Sequence, residues 1–327
     1  MATQQAKKFH VLALSGGGFR GLYTATVLAA LEDALGAPLA KRFDLICGTS
    51  VGGILALGLA KEIPAQDLKN LFVHQGRKIF DRRPAGLGGI AFFARHTNRG
   101  LKDALTKQFQ NATLGDLGHP VLVPAVNYVT GLAKVFKTPH QKTLEFDHKM
   151  SLVDVAMATS AAPTYFPIYS TSRGRFVDGG LVANAPGLLG LHEAVEYFGI
   201  EEKNVHVLSI GTMSAGITIR GDSPLDLGFM RWRSRLFDLI ISAQESYTDN
   251  MLQHRLQDRY FLIDDHVQPD QAQDISKLDN VDQRAIDTLT ARGTDRAQWV
   301  LGEPKFQSFR HHQAEPTTFF YGSNKNV

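Results

Sequence analysis

The feature that most narrows what this chain can fold into is a serine bracketed by glycines at the joint of two apolar runs. Residues Phe43-Asp44-Leu45-Ile46-Cys47 read as a buried strand, and Val51-Gly52-Gly53-Ile54-Leu55-Ala56-Leu57 as the buried helix that follows. Between them Gly48-Thr49-Ser50-Val51-Gly52 has the G-x-S-x-G form of a nucleophile elbow. Gly48 and Gly52 leave room for a sharp strand-to-helix turn that lifts the Ser50 hydroxyl above the sheet edge. Out of context the same pentapeptide can also be a tight turn around an inert serine.

Such a joint needs a sheet around it, and the chain supplies further strands. Residues 9–14, 121–126, 133–136 and 205–210 read as strands, with Thr130-Gly131 between the second and third. Helical runs lie between them, at Gly21 to about Leu35 and from near Pro64, a favourable first-turn residue. Another is capped by Ser151 and ends before Pro163. Phe176-Val177 leads into Asp178-Gly179-Gly180, residues 225–256 are mostly helical, and 260–263 look like a late strand. This alternation predicts an α/β three-layer sandwich with a largely parallel central sheet. The expected organisation is a single domain over 1–327, with a core at about 9–212 and a helical C-terminal extension at about 213–327. Beyond Gly302 the sequence is polar and poorly patterned, and no element is assigned.

A hydrophobic share of 43% and a charged share of 20% are those of a soluble globular protein, so disorder is not the default. A net charge of +3 does not favour a nucleic-acid polymer as partner, but it permits local contact with an anionic membrane. The one cysteine, Cys47, falls inside the proposed strand as a small core residue, so no internal disulfide forms and a reducing compartment suits the chain. The first eight residues are short and polar, without the apolar segment of a secretory signal, and no apolar run is long enough to span a bilayer. The expected location is the cytoplasm, with any membrane work done from the surface.

Gly16-Gly17-Gly18-Phe19-Arg20-Gly21 follows the first strand and satisfies G-x-G-x-x-G, the dinucleotide fingerprint. A dinucleotide site also wants an acidic residue at the end of the second strand; here Asp44 stands at its start. The alternative is that the backbone N–H groups of Gly16 to Gly18 receive an oxyanion, as acyl transfer at Ser50 requires. Arg20 either steadies that loop or is a surface arginine without a role. For a base, none of the 12 histidines stands out, and His311-His312 reads as solvated. No His-x-x-x-His pair or cysteine cluster suggests a metal. Asp178 closes an apolar strand, so its carboxylate could take the Ser50 proton if burial raises its proton affinity; an ordinary Asp-Gly turn is the other meaning.

These segments, with Ala158-Thr159-Ser160-Ala161-Ala162-Pro163-Thr164-Tyr165-Phe166, occur in the order found in patatin-like phospholipases, which the chain resembles over roughly residues 9–212. The resemblance implies a Ser-Asp dyad without histidine: Ser50 as nucleophile, Asp178 as base, and Gly16, Gly17 and Gly18 as the oxyanion hole. Arg20 and Gly21 would support that loop, Gly48 and Gly52 the elbow, and Gly179 and Gly180 the aspartate turn. The implied activity is release of fatty acids from membrane phospholipids by a peripheral enzyme at the inner face of the membrane, with no cofactor needed for the chemistry. Two departures put substrate range in doubt: Ser15 where the family often has an acidic residue, and Asn184-Ala185-Pro186 where it often has Asn-Asn-Pro. The wording Gly-Gly-Gly-Phe-Arg-Gly-Leu and Gly-Thr-Ser-Val-Gly-Gly is similar to that of bacterial antiphage effector phospholipases. That implies activation by a cyclic dinucleotide such as cyclic GMP-AMP.

Two further segments invite a role. Residues 82–100 set apolar and glycine residues between Arg82-Arg83 and Arg95, as a lid inserting at an anionic surface would, or as a loop folded over the core would. Arg231, Trp232, Arg233 and Arg235 could hold a nucleotide, or form the wet face of a helix. The competing functional readings are an α/β-hydrolase esterase with a Ser-Asp-His triad using His206 or His254, and a lipid- or nucleotide-binding module with a dead site.

Overall fold

The computed structural model describes residues 7–83, 93–213, 226, 229–267, 272–275 and 277–327. Eight strands form one sheet: β1 (Phe9–Leu14), β2 (Leu45–Gly48), β3 (Val121–Asn127), β4 (Ala133–Lys137), β5 (Tyr169–Thr171), β6 (Gly174–Asp178), β7 (Val205–Ile210) and β8 (Tyr260–Ile263). The helices are α1 (Gly21–Leu35), α2 (Val51–Ala60), α3 (Ala65–Ile79), α4 (Asn98–Phe109), α5 (Leu152–Thr159) and α6 (Gly180–Ala183). They continue as α7 (Gly187–Glu196), α8 (Phe229–Leu256), α9 (Ala272–Ile275), α10 (Gln283–Gly302) and α11 (Gln307–His311).

The layering follows from side-chain alternation along the central strands. On β1, Leu12 and Leu14 join one core with Ile46 of β2 and helices α1 to α5 and α10. Phe9, Val11 and Ala13 join a second with Leu45, Cys47, Leu191 of α7 and Leu252 of α8. Every residue of β1 is buried, as a parallel strand covered on both faces must be. The expected three-layer α/β sandwich with a largely parallel sheet is therefore the observed fold. Strands β3, β2, β1, β7 and β8 run parallel, while β4 and β6 pair antiparallel with β3 and β5 with β6.

One detail of the register positions the site. Leu122 of β3 pairs with Cys47 of β2 and with Lys137 of β4, while Ala125 pairs with Lys134 of β4 and with Asp178 of β6. One residue can pair with only one strand per edge, so β2 and β6 occupy the same edge of β3, end to end. β2 runs up that edge and stops at Gly48; β6 runs down it and stops at Asp178. The chain leaving β2 thus meets the end of β6 head-on.

Local expectations hold where the side chain itself sets the boundary. Ser151 Oγ accepts the Asp154 N–H at 3.0 Å and caps α5. Gly36, at φ 64°, closes α1 with its N–H on Glu32 and Asp33 carbonyls. The second strand starts two residues later than expected, at Leu45, and the Asp44 carboxylate just before it accepts the His10 N–H at 2.7 Å. The tail is where the expectation fails. His312 is not solvated: its Nε2 lies 2.7 Å from Asp44 Oδ2 and its ring stacks on His10, centroids 3.9 Å apart. Phe306, Phe309 and Phe319 are buried, which anchors a segment whose polar majority hid three apolar contacts.

Candidate active site

Ser50 precedes the first residue of α2 with φ 54° and ψ −123°, a backbone conformation that strains any residue with a side chain. The turn is held open by what surrounds it. The Thr49 N–H reaches Leu14 O at 3.1 Å and its hydroxyl reaches Ala183 O at 2.6 Å. The Ser50 N–H donates to Thr159 Oγ1 at 2.9 Å, and Thr159 donates onward to Pro124 O at 2.6 Å. Gly52 lies against the Leu14 carbonyl so closely that a Cβ there would collide with it. These contacts aim the Ser50 hydroxyl away from the helix, and it donates to Asp178 Oδ2 at 2.8 Å.

Asp178 is almost wholly buried. Burial pushes its carboxyl up to about 7, against the opposing pull of the Gly180 N–H, which reaches Oδ1 at 2.6 Å, and of the Ser50 hydroxyl. A carboxylate with that proton affinity is matched to taking a hydroxyl proton near neutral pH. Gly179 lies against the Pro124 carbonyl, where a Cβ would collide. The expected turn of Asp178-Gly179-Gly180 therefore exists, and it also presents its aspartate to the serine.

The glycine loop is divided in its roles. The Gly16 N–H donates to Asn184 O at 3.0 Å, so that amide is already committed. Among the described residues the Gly17 and Gly18 amides have no protein acceptor, and both residues line the cavity in front of Ser50. The three-amide oxyanion hole implied by the sequence thus narrows to two candidates. Gly18 needs to be glycine on two counts: its φ is +58°, and a Cβ would strike Leu278 O. Phe19 donates its N–H to that same Leu278 carbonyl at 2.8 Å. Arg20 is not a surface residue; it is buried at the cavity wall. Burial lowers its proton affinity, opposed by the acidic neighbours Glu245, Asp264 and Asp238. Gly21 packs against Val51 at the first turn of α2, which ties the loop to the elbow.

The cavity in front of Ser50 has a volume of about 610 Å³, within the range of small-molecule sites. Its lining is apolar at Ile54, Phe72, Ile79, Phe80, Leu101 and Phe166 and charged at Arg20, Asp238, Glu245 and Lys277. No histidine lines it among the described residues. His206 packs instead among His10 and Phe309, and burial lowers its proton affinity to about 4; His254 is exposed on α8. Neither can serve a Ser-Asp-His triad here. Asp44 binds His10 and His312 and so does not serve as the ribose acid of a dinucleotide site.

Several supporting residues escaped the sequence reading. Asn184 donates from Nδ2 to Gly16 O and to Glu245, so the departure from Asn-Asn-Pro leaves the asparagine that holds the loop. Thr159 lay inside a quoted motif, but only the fold shows that its hydroxyl serves Ser50. Leu278 had no sequence signal at all. Beside it the Asp279 carboxylate is fully buried and accepts from His96 Nε2 at 3.0 Å and from the Arg95 guanidinium at 2.9 Å. Against the upward push of burial, those two bonds hold it well below the usual carboxylate range. Arg95 and His96 flank the proposed lid, whose residues 84–92 lie outside the described residues. Arg231, Trp232, Arg233 and Arg235 fall on α8, and their side chains also lie outside that description. Among the described residues no group of three or more His, Cys, Asp or Glu side chains is placed to hold a metal, and no helix is long and apolar enough to cross a membrane.

Comparison with known proteins places these features in a family context. A family model described as patatin-like phospholipase matches residues 12–188. A cGAMP-activated phospholipase of Pseudomonas aeruginosa is 58% identical over 98% of this chain and 97% of its own length. A cGAMP-activated phospholipase of Escherichia coli is 34% identical over 94% of each chain. A third, from Vibrio cholerae, is 34% identical over 88% of this chain and 90% of its own.

Proposed function

The chain belongs to the patatin-like phospholipase family, and on that premise we propose that it is a serine acyl hydrolase acting on membrane phospholipids through Ser50 and Asp178. The observation that carries the reading is the 2.8 Å bond from Ser50 Oγ to a buried carboxylate, at the wall of a half-apolar cavity. Asp178 takes the Ser50 proton as Oγ attacks the ester carbonyl, and charge develops on the carbonyl oxygen. The Gly17 and Gly18 amides receive that oxyanion, with no acceptor to surrender among the described residues. As the tetrahedral centre collapses, Asp178 returns the proton to the departing alcohol and Ser50 keeps the acyl group. Water then attacks the acyl-enzyme with Asp178 again as base, the C–Oγ bond breaks, Ser50 recovers its proton, and a fatty acid leaves. The apolar lining from Ile54 to Phe166 suits an acyl chain.

A cyclic dinucleotide, cyclic GMP-AMP first among candidates, is proposed as the activator. The support is that relatives aligning with nearly the whole chain are cGAMP-activated phospholipases. The test is fatty-acid release from phospholipid vesicles with and without a panel of cyclic dinucleotides, using wild type, Ser50→Ala and Asp178→Ala. The expected result is release by wild type that rises with one member of the panel, and none by either variant. Turnover by a purified variant refutes the dyad; indifference to every dinucleotide refutes the activator and leaves the hydrolase standing.

A further inference from the structure

The β3–β4 hairpin ends in a tip, residues 128–132, that combines exposed apolar side chains with fully bonded N–H groups. Val129 is 71% exposed, Leu132 67% and Tyr128 57%. Single exposed apolar residues are ordinary on a protein surface, but here three of five consecutive residues share one tip. Every N–H in the tip has a protein acceptor. Tyr128 donates to Arg175 O at 2.8 Å, and Gly131 to Asn127 O at 2.8 Å. Val129 and Thr130 both donate to Asn127 Oδ1, at 3.0 and 3.2 Å, and Leu132 donates to Thr130 Oγ1 at 3.3 Å. Such bonds hold a turn in water, and they also lower the cost of moving the tip into an apolar medium, where an unpaired N–H is expensive.

Its position and charge point the same way. Asp178 pairs with Ala125, so the tip continues past the catalytic pair on the same edge of the sheet, by about 10 Å at 3.3 Å per residue. Residues 121–137 and 166–177, which build the two neighbouring hairpins, contain no aspartate or glutamate. Lys134 and Lys137 are taken by Asp147 and Glu193. Arg173 and Arg175, in the adjoining β5–β6 hairpin, are exposed and have no carboxylate partner among the described residues.

We propose that this tip is a bilayer anchor. Val129, Leu132 and Tyr128 enter the interfacial layer of an anionic phospholipid membrane, while Arg173 and Arg175 lie at the level of its phosphates, which turns the Ser50 edge toward the lipid. The anchor goes beyond the hydrolase reading and takes from it only that the substrate lies in a bilayer.

Binding is measured by co-sedimentation of the full chain carrying Ser50→Ala with vesicles of phosphatidylethanolamine containing phosphatidylglycerol, with and without cyclic GMP-AMP. Adding Val129→Ser and Leu132→Ser is expected to lower partitioning about tenfold or more. Adding Arg173→Gln and Arg175→Gln instead is expected to lower it in a manner that salt mimics in the unsubstituted chain. With Ser50 intact, both pairs of changes leave hydrolysis of a soluble short-chain ester within about twofold of wild type, since neither touches the cavity. Unchanged vesicle binding overturns the anchor. So does a parallel loss of ester hydrolysis, or a dimer in gel filtration that the tip variant dissolves, since the tip would then meet a second copy. Tip-dependent vesicle binding by a wild type that cleaves neither ester nor lipid would sustain the anchor and overturn the hydrolase.

Discussion

Replacing Asp178 by asparagine should make the protein more stable at neutral pH while silencing it. Asparagine has the shape of the carboxyl group and can still accept the Gly180 N–H, but it never ionises. In the wild type, burial holds the carboxyl at about 7, whereas the same group in the unfolded chain titrates near 3.8. Between those values the unfolded chain has released a proton that the folded one keeps, so each rise of one pH unit costs the fold about 1.4 kcal/mol. Above pH 7 both states are ionised and the cost stops growing. Its ceiling is about 4 kcal/mol, reduced by whatever relaxation lets water approach the site. Asp264, also held at about 7 by burial, titrates in the same window but is present in both proteins and cancels in the difference. Urea unfolding of wild type and Asp178→Asn at several values from pH 4.5 to 8 reads the effect directly. The advantage of the asparagine chain should be small at pH 4.5, grow to pH 7 and then level off, with a rise in Tm of about 6 °C at the plateau. A difference that stays flat with pH, or one that favours wild type more as pH rises, refutes the claim that this carboxylate is held against its own solvation.

The same carboxylate sets the pH profile of turnover: kcat/KM should climb through about pH 7 as Asp178 ionises, and a profile already level at pH 5 would remove it as the base. Gly18→Ala should lower kcat about a hundredfold by displacing the amides before Ser50, while circular dichroism stays native; a smaller loss than tenfold would point to other oxyanion donors. Asp279→Asn leaves Arg95 and His96 without their shared carboxylate and should cost about 3 kcal/mol at pH 7. That gap should narrow as acid protonates the carboxylate, since the paired group is stabilising above its unfolded value and loses that contribution as pH falls; a constant gap in urea titrations would argue for packing alone.

What the sequence exposes and what it hides divide along physical lines. The runs at 9–14 and 205–210 emerge with their observed limits because burial on both sheet faces keeps them mostly apolar, and 21–35 because Gly36 closes the helix. Ser50 and Asp178 are legible because an elbow and an Asp-Gly turn need glycines at fixed offsets. The meeting of the two is not, since it depends on β2 and β6 sharing one edge of β3, a matter of register that no local pattern encodes. The committed Gly16 amide is hidden for a similar reason: its acceptor is a backbone carbonyl, and any residue at position 184 could supply one. His312 misled because its partner, Asp44, lies 268 positions away along the chain.

The bond from Phe19 to Leu278 has a consequence for the order in which the protein is made. Synthesis delivers the glycine loop, the serine and the aspartate first, and the carbonyl that shapes the loop a hundred residues after Asp178. A nascent chain carries both members of the dyad well before it carries the brace that sets the amides in front of them. Until that brace arrives, the Phe19 N–H lacks the acceptor that it has in the finished fold.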